Sequence, residues 1–332
     1  MLRKHLKLNS DIFSVAGPDP LGLSFGLAVR RKIYLQFVTI KLRHALAIGL
    51  IGVVPALTGC ISHTRIVPKT RLADVVMSTS LDEMSRQLNA RFESIQTMNA
   101  SVTVAAVTGG GLQGKEKEYT SLGGYIFMRK PANLRVLLRV PVLGSTALDM
   151  VSDGTNFKLL IPRYNKAMEG TNEVTKPSKN GLENLRPSVF FDSMFIQGQG
   201  PNEILSMTTD TRIVPSENKK ELIEEPAYEL HVLAQPEGRT QRTLRVIHIN
   251  STDLLPFQQD IYDKDGQVVT KALYSNYLFY GDIPFPSTIV IQRPRDHYSL
   301  TVTIVKLTLN QKLEDDQFEL KIPENIPIQK LN

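Results

Sequence analysis

From residue 80 onward the spacing of apolar positions changes period twice. Ser80, Leu81, Asp82 and Glu83 have the form of a capping box, in which a serine and a glutamate three residues later satisfy free amide donors at a helix start. Leu81, Met84, Leu88, Phe92 and Ile95 then recur at steps of three and four, which predicts one apolar stripe on a helix of about 17 residues. Arg86 and Arg91 fall off the stripe, so it reads as a packing face. From Met98 the period drops to two. Strands are predicted over 99–107, 118–128, 133–140, 145–151, 155–161, 164–169, 210–215, 227–234, 241–249, 257–263, 267–277, 286–293 and 299–309. Asp153-Gly154 and Asp265-Gly266 read as two-residue hairpin signals. Pro131, Pro141, Pro162, Pro256 and Pro284 stand at run ends, where a missing amide donor is harmless. Hairpin spacing predicts an antiparallel meander rather than βαβ units. A second helix is predicted over 188–196, opened by Pro187. The mixed-charge stretch 217–225 is predicted as a solvated loop.

The front of the chain follows a different rule. Lys41, Arg43 and His44 lead into residues 45–57, thirteen positions without charge. A spanning helix needs about 20 apolar residues, so this run has the length of a signal-peptide core. It closes on Leu57-Thr58-Gly59-Cys60, which resembles the lipobox of bacterial lipoproteins. That resemblance implies cleavage between Gly59 and Cys60, a diacylglyceryl thioether on Cys60 and attachment to a membrane through lipid. Two or three chains at roughly 0.8 kcal/mol per buried methylene make such an anchor stable. Cys60 is the only cysteine, which excludes an intrachain disulfide and any thiolate cluster. Ile61 stands where an aspartate would signal inner-membrane retention, which favours the outer membrane over the inner. The organisation expected is an upstream extension over 1–37, with translation starting at Val38, then a signal peptide over 38–59, a tether over 60–79 and a folded domain over 80–325. Arg30-Arg31-Lys32 resembles a twin-arginine export motif but lies well before the apolar run, so the general secretory route is expected.

Composition changes the picture little. With 42% hydrophobic and 22% charged residues the chain can bury a core. The net charge of +6 suggests nucleic acid until it is located. Residues 1–59 hold eight Lys/Arg and two acids, and the rest is balanced. A nucleic-acid partner is therefore not expected.

Motifs with a chemical look dissolve on inspection. Gly109–Gly114 fits G-x-G-x-x-G, yet no helix is predicted after it, so it reads as a hairpin loop. Gly22-Leu-Ser-Phe-Gly26 fits a nucleophile elbow but precedes the signal peptide. His63, His231, His248 and His297 show no metal-like spacing, and Asp296-His297 with Ser299 reads as a solvated loop. No catalytic residue, metal site or cofactor is expected, and the chain is read as a non-enzyme. Arg135 and Arg139 share one strand face, opposite Leu134, Val136, Leu138 and Val140. They form either an exposed basic stripe or contacts to a lipid head group.

An amphipathic helix followed by a long meander, behind a lipobox, resembles the LolA/LolB family of lipoprotein carriers and receptors. Ser152–Phe157 with Ile161–Tyr164, Leu255-Pro256 with Asp263–Gly266, and Phe285-Pro286, Asn310, Phe318 and Ile322-Pro323 resemble the family's stretches in their order. The likeness spans residues 78–325. It implies an α+β, mainly β fold: an unclosed, curved antiparallel sheet, a half-barrel with helices on its concave face around an apolar cavity. It implies a monomer facing the periplasm that binds acyl chains or lipoproteins, with Leu81, Met84, Leu88, Phe92 and Ile95 as cavity residues. A lipid-anchored member is closer to LolB, whose protruding loop carries an exposed apolar residue; Leu143 is the candidate here. The alternative is an anchored envelope scaffold with no small ligand. Cys60→Ala should leave precursor, or product cut elsewhere, that takes up no labelled palmitate. Normal labelling of that variant would remove the lipobox reading.

Overall fold

Residues that alternate in the sequence alternate across the two faces of one sheet. A computed structural model describes residues 65–110, 114–172, 184–216, 221–236 and 238–331, and those from Pro68 onward form one compact unit. In chain order the elements are β1 (Thr70–Leu72), α1 (Leu81–Ser94), β2 (Thr97–Gly110), β3 (Lys115–Glu118), β4 (Leu122–Arg129), β5 (Asn133–Arg139), β6 (Thr146–Ser152), β7 (Asn156–Ile161) and β8 (Lys166–Thr171). There follow α2 (Pro187–Met194), β9 (Glu203–Pro215), β10 (Leu222–Ala234), β11 (Thr243–Asn250), β12 (Pro256–Tyr262), β13 (Val268–Tyr280), β14 (Ile283–Arg293), β15 (Tyr298–Leu309) and β16 (Ile328–Leu331).

All 16 strands belong to a single unclosed sheet. It consists of two meanders, β2–β8 and β9–β15, joined where β2 pairs with β15 and Thr103 stands opposite Thr303. The meander neighbours are antiparallel, as expected. Two short parallel pairs at the margins were not foreseen: β1 on β10 and β16 on β8.

Cross-strand register keeps one face apolar over the whole width. Met98, Ala100, Val102 and Val104 of β2 continue into Met128 and Ile126 of β4, then Leu134 and Val136, Met150, Leu159 and Met168. On the other side the same face runs through Val302, Ile289, Tyr274, Gln259, Ile247 and Leu230. Both helices lie on this inner face. Met84 and Leu88 of α1 pack among Leu230, Val232, Ile247 and Ile249. Val189, Phe190 and Met194 of α2 join the larger cluster. The opposite face mixes polar and apolar residues, and where the C-terminal arm crosses it Leu320 packs against Val151, Leu160 and Ala167. Two arginines strap that arm. Arg135 binds both oxygens of Asp149, at 3.0 and 2.8 Å, and donates to the Gln317 carbonyl at 3.2 Å. Arg129 meets Asp315 at 2.7 Å and lies 4.7 Å from the centre of the Phe318 ring.

Several local expectations shift. Helix α1 has 14 residues, and only half of its capping box forms. The Ser80 hydroxyl accepts from the Glu83 amide at 3.2 Å, while the Glu83 carboxylate holds Gln87 at 2.7 Å and pairs with Arg86. Only the glycines of the two Asp-Gly pairs have positive φ, 98° at Gly154 and 73° at Gly266. Asp153 and Asp263 instead accept amides of their own turns through their carboxylates. Residues 162–164 form a 3-10 turn, so β8 starts at Lys166. Strand β9 starts at Glu203 rather than 210, because β10 offers it a partner over its full length, and β10 itself absorbs Glu224 and Glu225 from the expected loop. The glycines at 109 and 110 sit in a β2–β3 hairpin, with Gly110 opposite Lys115; residues 111–113, Cys60 and the expected signal peptide lie outside the described residues. Ser80→Ala should lower stability by about 1 kcal/mol, read as a shift in a denaturation midpoint.

Candidate functional site

The predicted stripe faces the sheet. Met84 and Leu88 are each 1% exposed, Ile95 is buried, and Leu81 and Phe92 are half-buried. Where the C-terminal end of α1 passes over β12–β14 the packing is incomplete and leaves a cleft of about 40 Å³. Leu88, Phe92 and Ile95 form one wall, Met194, Phe195 and Ile196 a second, and Leu255, Pro256 and Pro284–Pro286 the rest. Arg91 and Tyr277 are its polar members. Pro256 and Pro284 stand at strand starts, where no ladder amide is needed, and Pro286 lies two residues further in, opposite Tyr277. Small-molecule sites span roughly 300–1,000 Å³, so this cleft is far smaller than a typical one.

Polar ties fasten the helix end around the cleft. Arg91 donates to the Leu254 carbonyl at 2.9 Å; desolvation lowers its pKa, with Tyr277 and Asp253 opposing. The Lys130 ammonium donates to the Phe92 carbonyl and sits 3.4 Å from the centre of the Phe92 ring and 5.5 Å from that of Phe195. Desolvation pulls this lysine below its ordinary range too. Asn310 donates to the Ser94 carbonyl at 2.7 Å and accepts the Gln96 amide at 2.8 Å. Asn89 accepts the Gln199 amide at 3.0 Å, tying α1 to the segment after α2. Phe195 meets Phe92 and Phe191 edge-on at 6.5 and 5.0 Å, an arrangement that aromatic rings favour.

The apolar face beneath is rich in one residue type. Of the nine methionines, Met98, Met128, Met150, Met168 and Met207 lie on it, and Met84 and Met194 reach it from the covering helices. Sequence periodicity had placed some of these individually, but their convergence depends on register between strands far apart in the chain.

No family model matches the chain, and no curated protein does. Among solved structures it is similar to a DUF1329 family protein from Desulfovibrio piger, at 14% identity over 71% of this chain and 94% of that one, with a TM-score of 0.45. It is also similar to a LolA superfamily protein from Nitrosomonas europaea, at 11% identity over 71% and 97% of the two chains, with a TM-score of 0.44. An outer membrane lipoprotein-sorting protein domain from Vibrio parahaemolyticus follows at 14% identity over 71% and 94%, with a TM-score of 0.43. The likeness is one of fold.

Other expected residues lie elsewhere on the sheet. Arg135 and Arg139 are on the face opposite the helices. Arg135 is engaged with Asp149, and Arg139 lies 5.9 Å from the centre of the Tyr125 ring. A head group bound there would sit on the outer surface, away from the cleft. Val142 and Leu143 form the β5–β6 tip and are both exposed to solvent. Asp296 accepts from Asn184 and Arg293 at 2.9 Å each, so the Asp296-His297 pair belongs to the β14–β15 turn.

One cluster escaped sequence reasoning. On the polar face His248 stands between two carboxylates, Glu229 at 3.2 Å and Asp260 at 3.3 Å, with His231 3.7 Å from Glu229. Desolvation raises the Asp260 pKa, but His248, Lys271 and Gln258 outweigh it and leave the carboxyl below its usual range. Glu229 and His231, two apart in one strand, were the available signal; His248 and Asp260 arrive only through the β11 and β12 registers. Among the described residues no three His, Cys, Asp or Glu side chains are placed to hold a metal ion.

Asp192 on α2 is exposed to solvent, at the margin of the densely packed inner face. Desolvation raises its pKa to about 6, with Arg245 and Arg293 opposing. A carboxyl whose folded pKa is raised binds protons more tightly in the native state, so wild-type stability falls as pH rises from about 4 to about 6 and then levels. Asp192→Asn should therefore match the wild type below pH 4 and exceed it above pH 6, checked by denaturation midpoints across that range.

Proposed function

We propose that this protein is a lipid-anchored, periplasm-facing binding protein of the bacterial envelope, which takes acyl chains of lipids or lipoproteins between α1 and the sheet. It acts in lipid or lipoprotein sorting and binds rather than catalyses. The observation carrying this reading is a methionine-rich seam, in which five methionines of the inner sheet face lie beneath the two short helices that bring Met84 and Met194. Methionine is unbranched and polarizable, so a face built from it can repack around a flexible chain where Val or Ile would hold one shape. Binding then requires the end of α1 to lift. The ties to Leu254, Phe92 and Ser94 are few and polar, and so exchangeable for water. The exposed Val142–Leu143 tip provides an apolar contact with a lipid surface.

A second reading, an anchored scaffold without small ligand, is favoured by the size of the cleft, about 40 Å³. One pair of measurements separates the two. Soluble protein starting at Ile61 should bind a fluorescent fatty acid saturably, and Leu88→Ala should weaken that binding. In a face that serves only as core, Leu88→Ala costs about 2–5 kcal/mol of stability. That loss, together with no saturable binding by the wild type, would leave the scaffold.

A further inference from the structure

The two margins of the sheet are built differently. At one, β16 is four residues long with Lys330 in it. Short, charged strands are the usual protection against unwanted pairing. At the other margin β9 runs for 13 residues, pairs with β10 along its whole length without a register shift, and contains no lysine, no glycine and no proline before its last residue. No strand among the described residues pairs with its outer side.

Its register shows which backbone groups are free. Thr211 stands opposite Pro226, which has no amide hydrogen and whose carbonyl accepts from the Ser251 hydroxyl at 2.6 Å, on the side away from β9. Thr211 therefore turns its own N–H and C=O outward, and by alternation so do Met207, Thr209 and Ile213. In the single chain the Thr211 amide donates to the neighbouring Asp210 carboxylate at 2.7 Å, a local substitute for a missing strand.

We infer that this edge pairs with the same edge of a second copy, forming a two-fold antiparallel dimer through one continuous sheet. Centred on Thr211, the pairing is self-complementary. Asp210 stands opposite the partner's Arg212 and Arg212 opposite the partner's Asp210, in positions where cross-strand side chains approach most closely. Thr209 stands opposite the partner's Ile213, covering a side chain that is 61% exposed in the single chain. Arg212 is already oriented by Glu225 at 2.8 Å on that same face. The Thr211 amide exchanges the Asp210 carboxylate for the partner's carbonyl, which releases Asp210 for its ion pair. Helix α1 packs on Leu205 and Met207, leaving the strand beyond them clear. The inference departs from the expected monomer and is independent of what the cleft binds.

Thr211→Cys in the full chain, in membranes under mild oxidation, tests the pairing. Two central cysteines would lie about 5.5 Å apart at Cα, within disulfide reach. The expected result is a covalent dimer several times more abundant than with Thr303→Cys, an exposed position in the middle of the sheet. Adding Asp210→Arg or Arg212→Asp should cut cross-linking about tenfold, since each creates two like-charge pairs, and the two together should restore it. The same charge series read by light scattering on detergent-solubilised chain, without an added cysteine, repeats the test independently of the disulfide. Cross-linking no greater than at Thr303, survival through either single reversal, no rescue by the double reversal, or adducts of a mass other than twice the chain would overturn the inference.

Discussion

An open sheet with one oily face has to be covered from within its own chain, and most of this architecture follows from that requirement. Inward residues keep their parity through both meanders and across the β2–β15 seam, so the apolar surface is continuous from Leu230 to Met168. Two stretches of chain are available as cover: the entry from the tether, which becomes α1, and the connection from β8 to β9, which carries α2. Both are short. The inner face is thus closed by elements whose contacts are mainly side-chain packing, with few hydrogen bonds to the strands beneath. Gln259, a polar member of the face, is 2% exposed and is tied by its amide to the Asp192 carbonyl at 2.9 Å.

Where the physics is local, the sequence was readable. Ser80 and the Leu81–Ile95 stripe located α1 and its buried side, because a helix needs only its own spacing to show an apolar face. Period-two runs located most strands for the same reason. The failures share a cause. Residues 203–209 lack alternation strong enough to be read alone, and they become strand because β10 lies alongside. The parallel pairs of β1 and β16 join segments more than 140 residues apart. At both Asp-Gly turns a carboxylate, that of Asp153 or of Asp263 two residues before Asp265, accepts the turn's amides, a detail that the dipeptide alone does not carry.

The site was legible in outline and opaque in content. The stripe's five residues were the correct face of the helix, yet apolar spacing is identical for packed core and for a cavity wall, and only coordinates give the size of the cleft. The methionine face and the Glu229–His248–Asp260 arrangement both arise from register. Arg135 illustrates the opposite limit. Its strand parity was correct, but a strand pattern says nothing of the C-terminal arm, whose Gln317 carbonyl it meets at 3.2 Å.

The seam between β2 and β15 has a consequence in time. Thr103 meets Thr303, so the strand at the centre of the finished sheet waits for a partner 200 residues downstream. A chain emerging from its N-terminal end would carry β2 as a bare margin of the first meander until nearly the whole sequence had arrived. High contact order of this kind slows closure and prolongs the interval in which a Val- and Ala-rich strand is open to wrong partners. Assembly of this domain is therefore limited by the arrival of its last long strand, and premature truncation before residue 298 removes the join between its halves.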